Sequence, residues 1–270
     1  MPDESTSSNA PINRFSVSKA SKSEFKADGL RPFLEYRDLG IKAATGGRWR
    51  ASLSRSREAM PGGTGIHKHE LGVQIVYVLN GSATFEYADY GEFTVIPGDC
   101  IYQPSGITHQ QTDRTKDCVV LEVVSPGKFP TLETGIEKYV EPTSGPVQKF
   151  SVVRAAETPY TAHPLRPWLL RRDLGIAHAT GGRVNAHLSR CAEPMPGPTG
   201  LHRHDLDFQM VFILQGICEF DYGEHGVHTL LPGDCVYQPP GVPHDVLSRS
   251  DDCEILEITS PADFPTEALG

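Results

Sequence analysis

Hydrophobic and polar positions along this chain alternate over short stretches rather than with a helical period. In the first half, stretches rich in β-branched and aromatic residues are 51–55, 73–79, 83–87, 92–96 and 118–124, and glycine or proline separates them. Successive side chains of a strand point to opposite faces, so this period of two predicts sheets. No stretch of 12 or more residues carries a clean helical period. The pattern predicts an all-β fold, either a sandwich or a barrel.

The same pattern occurs twice. Adding 135 to a residue number gives its match in the second half, so that 64–81 matches 199–216 and 97–109 matches 232–244 without a gap. An internal repeat of this length indicates two domains of one architecture. The expected organisation is a disordered tail at 1–13, a first domain at 14–131, a linker at 132–148 and a second domain at 149–270.

Composition narrows the classes of partner. The 270 residues carry a formal net charge of -9, and no basic stripe offsets it, which argues against nucleic acid as a partner. No apolar run approaches the roughly 18 residues of a membrane span, and the N-terminal segment has neither a basic leader nor an apolar core. The six cysteines lack a CxxC pair, which favours reduced thiols and a cytoplasmic protein.

Histidines at fixed spacing suggest a metal site in each repeat. His67 and His69 are two residues apart, so on a strand they share a face, and a turn at 71–72 would bring Gln74 beside them. His109 comes from a distant strand. A lone His-x-His pair is usually structural, but the third histidine and the duplication favour a divalent first-row metal with open positions. The matching set in the second repeat is His202, His204, Gln209 and His244.

Residues with the same strand parity as the ligands should line the pockets. The predicted lining is Val76, Val78 and Gln111 in the first repeat and Val211, Ile213 and Val246 in the second. If Gln111 points inward, the first pocket is more polar than the second; the alternative is that the strand bends and this side chain faces water. A cavity lined in this way suits a small-molecule substrate.

Other polar residues leave alternatives open. Glu122 and Glu257 lie on a strand with apolar neighbours, where each could serve as a general base or occupy an exposed face. His187 and His228 have no histidine counterparts in the first repeat, so the predicted site excludes them.

The two motifs together resemble the signature motifs of the cupin superfamily. They read His-x-His-x4-Gln-x6-Gly and Gly-x5-Pro-x-Gly-x2-His, and each occurs once per repeat, so the chain resembles a bicupin over residues 14–266. The resemblance implies two tandem cupin barrels (double-stranded β-helix, or jelly-roll), each with a metal near its wider mouth. It also implies that the halves pack as a pseudo-twofold pair, in a monomer or a homodimer.

One departure from the family bears on chemistry. Cupins usually carry glutamate where this chain has Gln74 and Gln209. A neutral amide leaves the full 2+ charge on the metal and disfavours a 3+ state. The absence of the ligand carboxylate counts against chemistry of the oxalate decarboxylase kind, which relies on it in this family.

Because cupins include oxygenases, decarboxylases, isomerases, cyclases and binding proteins, the fold fixes no reaction. The first expectation is a dioxygenase with Fe(II), or with Ni or Mn, acting on an aromatic or enolisable, diketone-like small molecule. The second is a redox-neutral, zinc-dependent cyclase, isomerase or lyase. The third is a bicupin that binds a small ligand without turning it over.

Overall fold

The computed structural model describes residues 12–29, 31–60, 62–141, 144–164 and 166–270. Most of the predicted N-terminal tail, up to residue 11, lies outside them. Short strands dominate, which confirms the all-β prediction. None of the helices formed by the described residues has the length and apolar character needed to cross a membrane.

The elements described for the first repeat are eleven strands, one short helix and one 3-10 turn. The last of these strands, β11, extends into the predicted linker. The strands are β1 (Ser16–Ser18), β2 (Leu34–Asp38), β3 (Arg50–Ser56), β4 (His67–His69), β5 (Val73–Asn80), β6 (Ala83–Tyr87), β7 (Gly91–Val95), β8 (Cys100–Tyr102), β9 (His109–Arg114), β10 (Val119–Ser125) and β11 (Thr131–Glu133). The helix α1 spans Ile41–Ala44, and a 3-10 turn spans Ala20–Lys22.

The second repeat continues the numbering and has one additional strand, β13, near its start. Its strands are β12 (Ser151–Val153), β13 (Thr161–His163), β14 (Arg166–Asp173), β15 (Asn185–Cys191), β16 (His202–His204), β17 (Phe208–Gln215), β18 (Cys218–Asp221), β19 (Val227–Leu230), β20 (Cys235–Gln238), β21 (Asp245–Arg249), β22 (Glu254–Ser260) and β23 (Thr266–Ala268). The helix α2 spans Ile176–Thr180, and a 3-10 turn spans Gly223–His225.

Each half places a long sheet opposite a shorter one. The long sheets have the orders β12-β8-β5-β10-β3-β2 and β1-β20-β17-β22-β15-β14-β13. The shorter sheet of the first half is β11-β4-β9-β6-β7; in the second half it is divided into β16-β23 and β19-β18-β21. A β-bridge between His202 and His244 joins those two pieces. The result is two barrels of one architecture.

The first strand of each repeat belongs to the long sheet of the other repeat. Strand β1 pairs with β20, and β12 pairs with β8. The contacts beside these strands are reciprocal: Lys19 forms an ion pair with Asp234 at 2.9 Å, and Arg154 forms one with Asp99 at 2.9 Å. Because each residue of the first pair matches one of the second at an offset of 135, the two halves are related by an approximate twofold exchange.

The central strands are buried on both faces. Along β5, Ile75 and Tyr77 join a core shared by the two halves, whereas Val76 and Val78 face the interior of the first barrel. In the shared core the ring of Trp49 stacks on Phe208 with centroids 4.1 Å apart. This double burial explains why these strands are almost continuously apolar in sequence.

Candidate metal centre

Two strands of the first barrel bring the three predicted histidines together. His67 on β4 pairs directly with His109 on β9, and His69 lies on the same face of β4. The ring centroids are 4.5 Å apart for His67 and His109 and 4.9 Å for His67 and His69. One nitrogen from each ring lies within 4.8 Å of the other two. Such a group can hold a metal ion.

The second barrel repeats this arrangement. His202 and His244 lie with ring centroids 4.3 Å apart, and His204 lies 4.9 Å from His244. The nitrogens again fall within 4.8 Å of one another. Both predicted trios therefore converge.

The outer nitrogen of every one of these rings has a hydrogen-bond partner. In the first barrel the partners of Nδ1, in chain order of the histidines, are Gly65 O at 2.8 Å, Thr131 Oγ1 at 3.0 Å and Ile107 O at 3.1 Å. In the second barrel they are Gly200 O at 2.7 Å, Thr266 Oγ1 at 2.9 Å and Val242 O at 3.1 Å. A carbonyl only accepts, so in the four rings bonded to carbonyls the proton lies on Nδ1 and Nε2 carries the lone pair, whereas a threonine hydroxyl can either donate or accept. The tautomer with the proton on Nδ1 is the one that a metal ligand binding through Nε2 needs.

Burial also keeps four of the six rings neutral. Desolvation, reinforced by neighbouring histidines, lowers the pKa of His69 to about 4 and that of His109 to about 3. In the second barrel burial lowers the pKa of His204 and that of His244 to about 4. Near neutral pH these imidazoles carry lone pairs rather than charges, so they are available as ligands.

Each predicted glutamine is buried beside a glutamate. Nε2 of Gln74 donates to Oε1 of Glu122 at 3.0 Å, and Nε2 of Gln209 donates to Oε1 of Glu257 at 2.7 Å. Both glutamines are 4 % exposed. The sequence left open a general base or an exposed strand face for the glutamates; their side chains are only partly exposed, at 30 % for Glu122 and 24 % for Glu257.

His187, which the sequence left out of the predicted site, lies beside the paired side chains of Gln209 and Glu257. Its Nε2 lies 3.2 Å from Oε2 of Glu257, the carboxylate that holds Gln209. Although burial opposes ionisation, the hydrogen bonds from His187 and Gln209 keep the pKa of Glu257 well below its usual range. This contact was not predicted because the sequence comparison considered only histidines present in both repeats, and the first repeat has Ser52 here.

The predicted lining residues lie inside the barrels. Those in the apolar interiors, or packed against them, are Val76 and Val78 in the first half and Val211, Ile213 and Val246 in the second. Gln111 is 7 % exposed, which excludes the alternative in which it faces water, and its Nε2 has no partner among the described residues. The first barrel therefore has a buried amide at this position, where the second barrel has the apolar Val246.

One tyrosine in each barrel lies near the histidines and was not predicted from the sequence. Tyr87 pairs with His109 across β6 and β9, and their rings stack with centroids 5.5 Å apart. Its match, Tyr222, lies 6.2 Å from His244. Both hydroxyl groups are buried without a partner among the described residues. The available signal was their occurrence in both repeats next to an inward-facing strand.

The donor set fits a divalent first-row metal. Three converging imidazoles, each hydrogen-bonded through Nδ1, match the nitrogen ligands of such ions. The family model described as a cupin domain matches residues 57–124 and 193–259, which together are half of the chain. This chain belongs to the cupin family. Each match contains one histidine trio, so the protein is a bicupin.

Solved structures support the bicupin fold. The chain is similar to oxalate decarboxylase from Bacillus subtilis: a point variant of that enzyme is 17 % identical, with 96 % of this chain and 80 % of that chain covered and a TM-score of 0.65. The structure at pH 4.6 is 16 % identical, with 96 % and 79 % covered and a TM-score of 0.64. A structure from work on the Mn(II) centres of the same enzyme is also 16 % identical, with 96 % and 80 % covered and a TM-score of 0.64. Identity this low establishes the fold alone. No curated protein sequence matches the chain.

Proposed function

We propose that this bicupin is a metal-dependent enzyme that holds one divalent ion in each barrel. The observation that carries the proposal is the pair of histidine trios, each with all three Nδ1 atoms occupied by hydrogen bonds. The proposed ligands are His67, His69, His109 and Gln74 in the first barrel and His202, His204, His244 and Gln209 in the second.

The nature of the ion follows from the donors. Imidazole and amide ligands suit Fe(II), Mn(II), Ni(II) or Zn(II), and Fe(II) is the ion we favour. The Mn(II) centres named for the structurally similar oxalate decarboxylase support Mn(II) as the alternative. With no carboxylate among the proposed ligands, the site carries the full charge of the ion.

We propose a dioxygenase reaction on an aromatic or enolisable, diketone-like small molecule. When bound, the metal would supply Lewis acidity and, for iron, redox chemistry. The chain supplies the pocket: Val76 and Val78 exclude water, and Nε2 of Gln111 is a free donor for a substrate oxygen. The hydroxyl of Tyr87 offers a second buried donor in the same barrel.

A redox-neutral, zinc-dependent cyclase, isomerase or lyase is the second candidate. The observation that favours it is the carboxylate of Glu122, which contacts Gln74 and could serve as a general base in an isomerisation or elimination. Its Oε1 lies 3.0 Å from Nε2 of Gln74, which is itself a proposed ligand. The neutral ligand set also stabilises a 2+ ion.

Metal analysis of protein purified without oxygen, followed by oxygen-consumption assays, separates these functions. Iron together with oxygen uptake on a panel of enols and phenols supports the dioxygenase. Zinc with turnover but no oxygen uptake supports the second candidate. Bound metal without turnover across the panel would overturn the enzymatic proposal in favour of a ligand-binding bicupin.

A further inference from the structure

Each proposed glutamine ligand is hydrogen-bonded to a glutamate, and this glutamate occurs at the same position in both repeats. Across β5 and β10, Glu122 is the register partner of Val76, which is the next residue after Gln74 on the same face of β5. In the second half Glu257 is the register partner of Val211, which is the next residue after Gln209 on the same face of β17. The glutamates therefore lie on the inward faces of their sheets, beside the glutamines and diagonal to them.

The hydrogen bond between these side chains determines which way the amide faces. An ionised carboxylate can only accept, so the group of Gln74 nearest Glu122 must be its NH2. The amide oxygen is then on the opposite side and remains available as a ligand. The same argument applies to Gln209 and Glu257, whose separation is 2.7 Å.

We propose that Glu122 and Glu257 are positioning residues that orient the glutamine oxygens toward the metal positions and strengthen them as ligands. This inference rests on the proposed function, in which the histidine trios and the glutamines hold a metal. Donation of an amide N–H to an anionic acceptor draws electron density toward the amide oxygen, because such bonds are charge-assisted and polarise their neighbours. The neutral amide thus gains part of the ligand strength of a carboxylate.

Each glutamate is held from its other side as well. Oε2 of Glu122 lies 3.0 Å from Nη2 of Arg50, and Oε2 of Glu257 lies 3.2 Å from Nε2 of His187. With both oxygens engaged, neither carboxylate can rotate away from its glutamine without breaking a second contact. Arg50 has Asn185 as its match in the second repeat, so the two halves use different residues to reach the same arrangement.

The test uses the metal-free full-length chain titrated with Mn²⁺, followed by calorimetry and electron paramagnetic resonance. The wild-type chain should bind two ions. In Glu122→Gln the new amide can donate as well as accept, so Gln74 is free to flip. One site should weaken by about 10- to 100-fold while the other keeps its affinity. Glu257→Gln should affect the other site in the same way, and the resonance of the affected Mn²⁺ should change.

Two further variants separate orientation from general damage. Glu35→Gln is the matched control, because Glu35 also pairs with an arginine, Arg55 at 2.7 Å, but lies on β2 away from the trio; both sites should keep their affinity. The exchanged pair Gln74→Glu with Glu122→Gln places the carboxylate directly among the ligands and the amide behind it. This double variant should recover at least the wild-type affinity at the first site.

The outcomes are distinct. Unchanged affinity at both sites in Glu122→Gln and Glu257→Gln would overturn the positioning role and leave the metal proposal standing. A double variant that fails to recover affinity, although it binds at the second site, would show that Glu122 acts on folding rather than on the amide. A wild-type chain that binds no metal would overturn the proposed function itself.

Discussion

At the scale of single residues, the metal pockets depend on atoms that do not face the metal. Each imidazole is hydrogen-bonded through Nδ1, and the partners are equivalent in the two barrels. In each trio, two histidines donate Nδ1–H to backbone carbonyls, which a side-chain substitution cannot remove. The third uses a threonine hydroxyl, Thr131 for His69 and Thr266 for His204. The hydroxyls are therefore the accessible test of how much these hydrogen bonds contribute.

Thr131→Val replaces that hydroxyl with a methyl group of similar size. His69 should lose the hydrogen bond that orients its ring, and the metal affinity of the first site should fall by about 10- to 100-fold. Titration with Zn²⁺ measures both sites in one experiment, and the second site serves as the internal control. Thr266→Val should produce the converse pattern. Equal affinity at the two sites of Thr131→Val would contradict this account.

Much of the ligand set was predictable from the sequence because the offset of 135 matched three histidines and one glutamine in both repeats. The partners of those ligands were not predictable. The contact between Gln74 and Glu122 depends on the register of β5 against β10, which a single sequence does not display. His187 was excluded by the same comparison of repeats that identified the ligands.

At the scale of elements, tight hairpins set the strand register that brings the ligands together. Gly81 joins β5 to β6 with φ at +69, a conformation that other residues rarely adopt. An added Cβ there would lie 2.6 Å from Thr115 Oγ1 and 2.8 Å from Cys118 Cα, which is backbone and cannot rotate away. The turn at Gly81 therefore carries both a conformational and a packing requirement.

Gly81→Ala should consequently destabilise the protein more than an equally left-handed glycine with open space around it. Gly91 provides that control, with φ at +81 and nothing within 4 Å of an added Cβ. Gly91→Ala should lower the free energy of unfolding by about 1–2 kcal/mol from backbone strain alone. The loss for Gly81→Ala should be clearly larger, as measured by urea denaturation. Equal losses would show that the contact with Cys118 is relieved at no cost.

At the scale of the whole molecule, the exchange of first strands ties the two halves together. Buried Asp99 accepts from the backbone N–H of Ala155 at 2.8 Å and from Arg154 at 2.9 Å, both from the other repeat. Asp234 does the same for Ala20 and Lys19. The sequence predicted two packed halves but not this exchange, because a strand at the start of a repeat has the same pattern whichever sheet it joins.

Asp99→Ala should reduce the stability of the chain by about 1.5–3 kcal/mol, because it removes a charged acceptor from a buried N–H and leaves that donor unpaired. Asp234→Ala should cost a similar amount if the two contacts are equivalent. The exposed pair of Arg203 and Glu267 gives the control, since Glu267→Ala should cost less than about 1 kcal/mol. Chemical denaturation of the three variants compares them directly. An Asp99→Ala variant as stable as Glu267→Ala would argue against a structural role for the exchanged strand.

The central claim is that each barrel forms an independent cage for one divalent ion. The most direct test is the metal content per chain, measured by mass spectrometry after loading and dialysis, for the wild type and for His67→Ala, His202→Ala and the double variant. We predict two ions for the wild type, one for each single variant and none for the double variant. Unchanged metal content in the double variant would contradict the account.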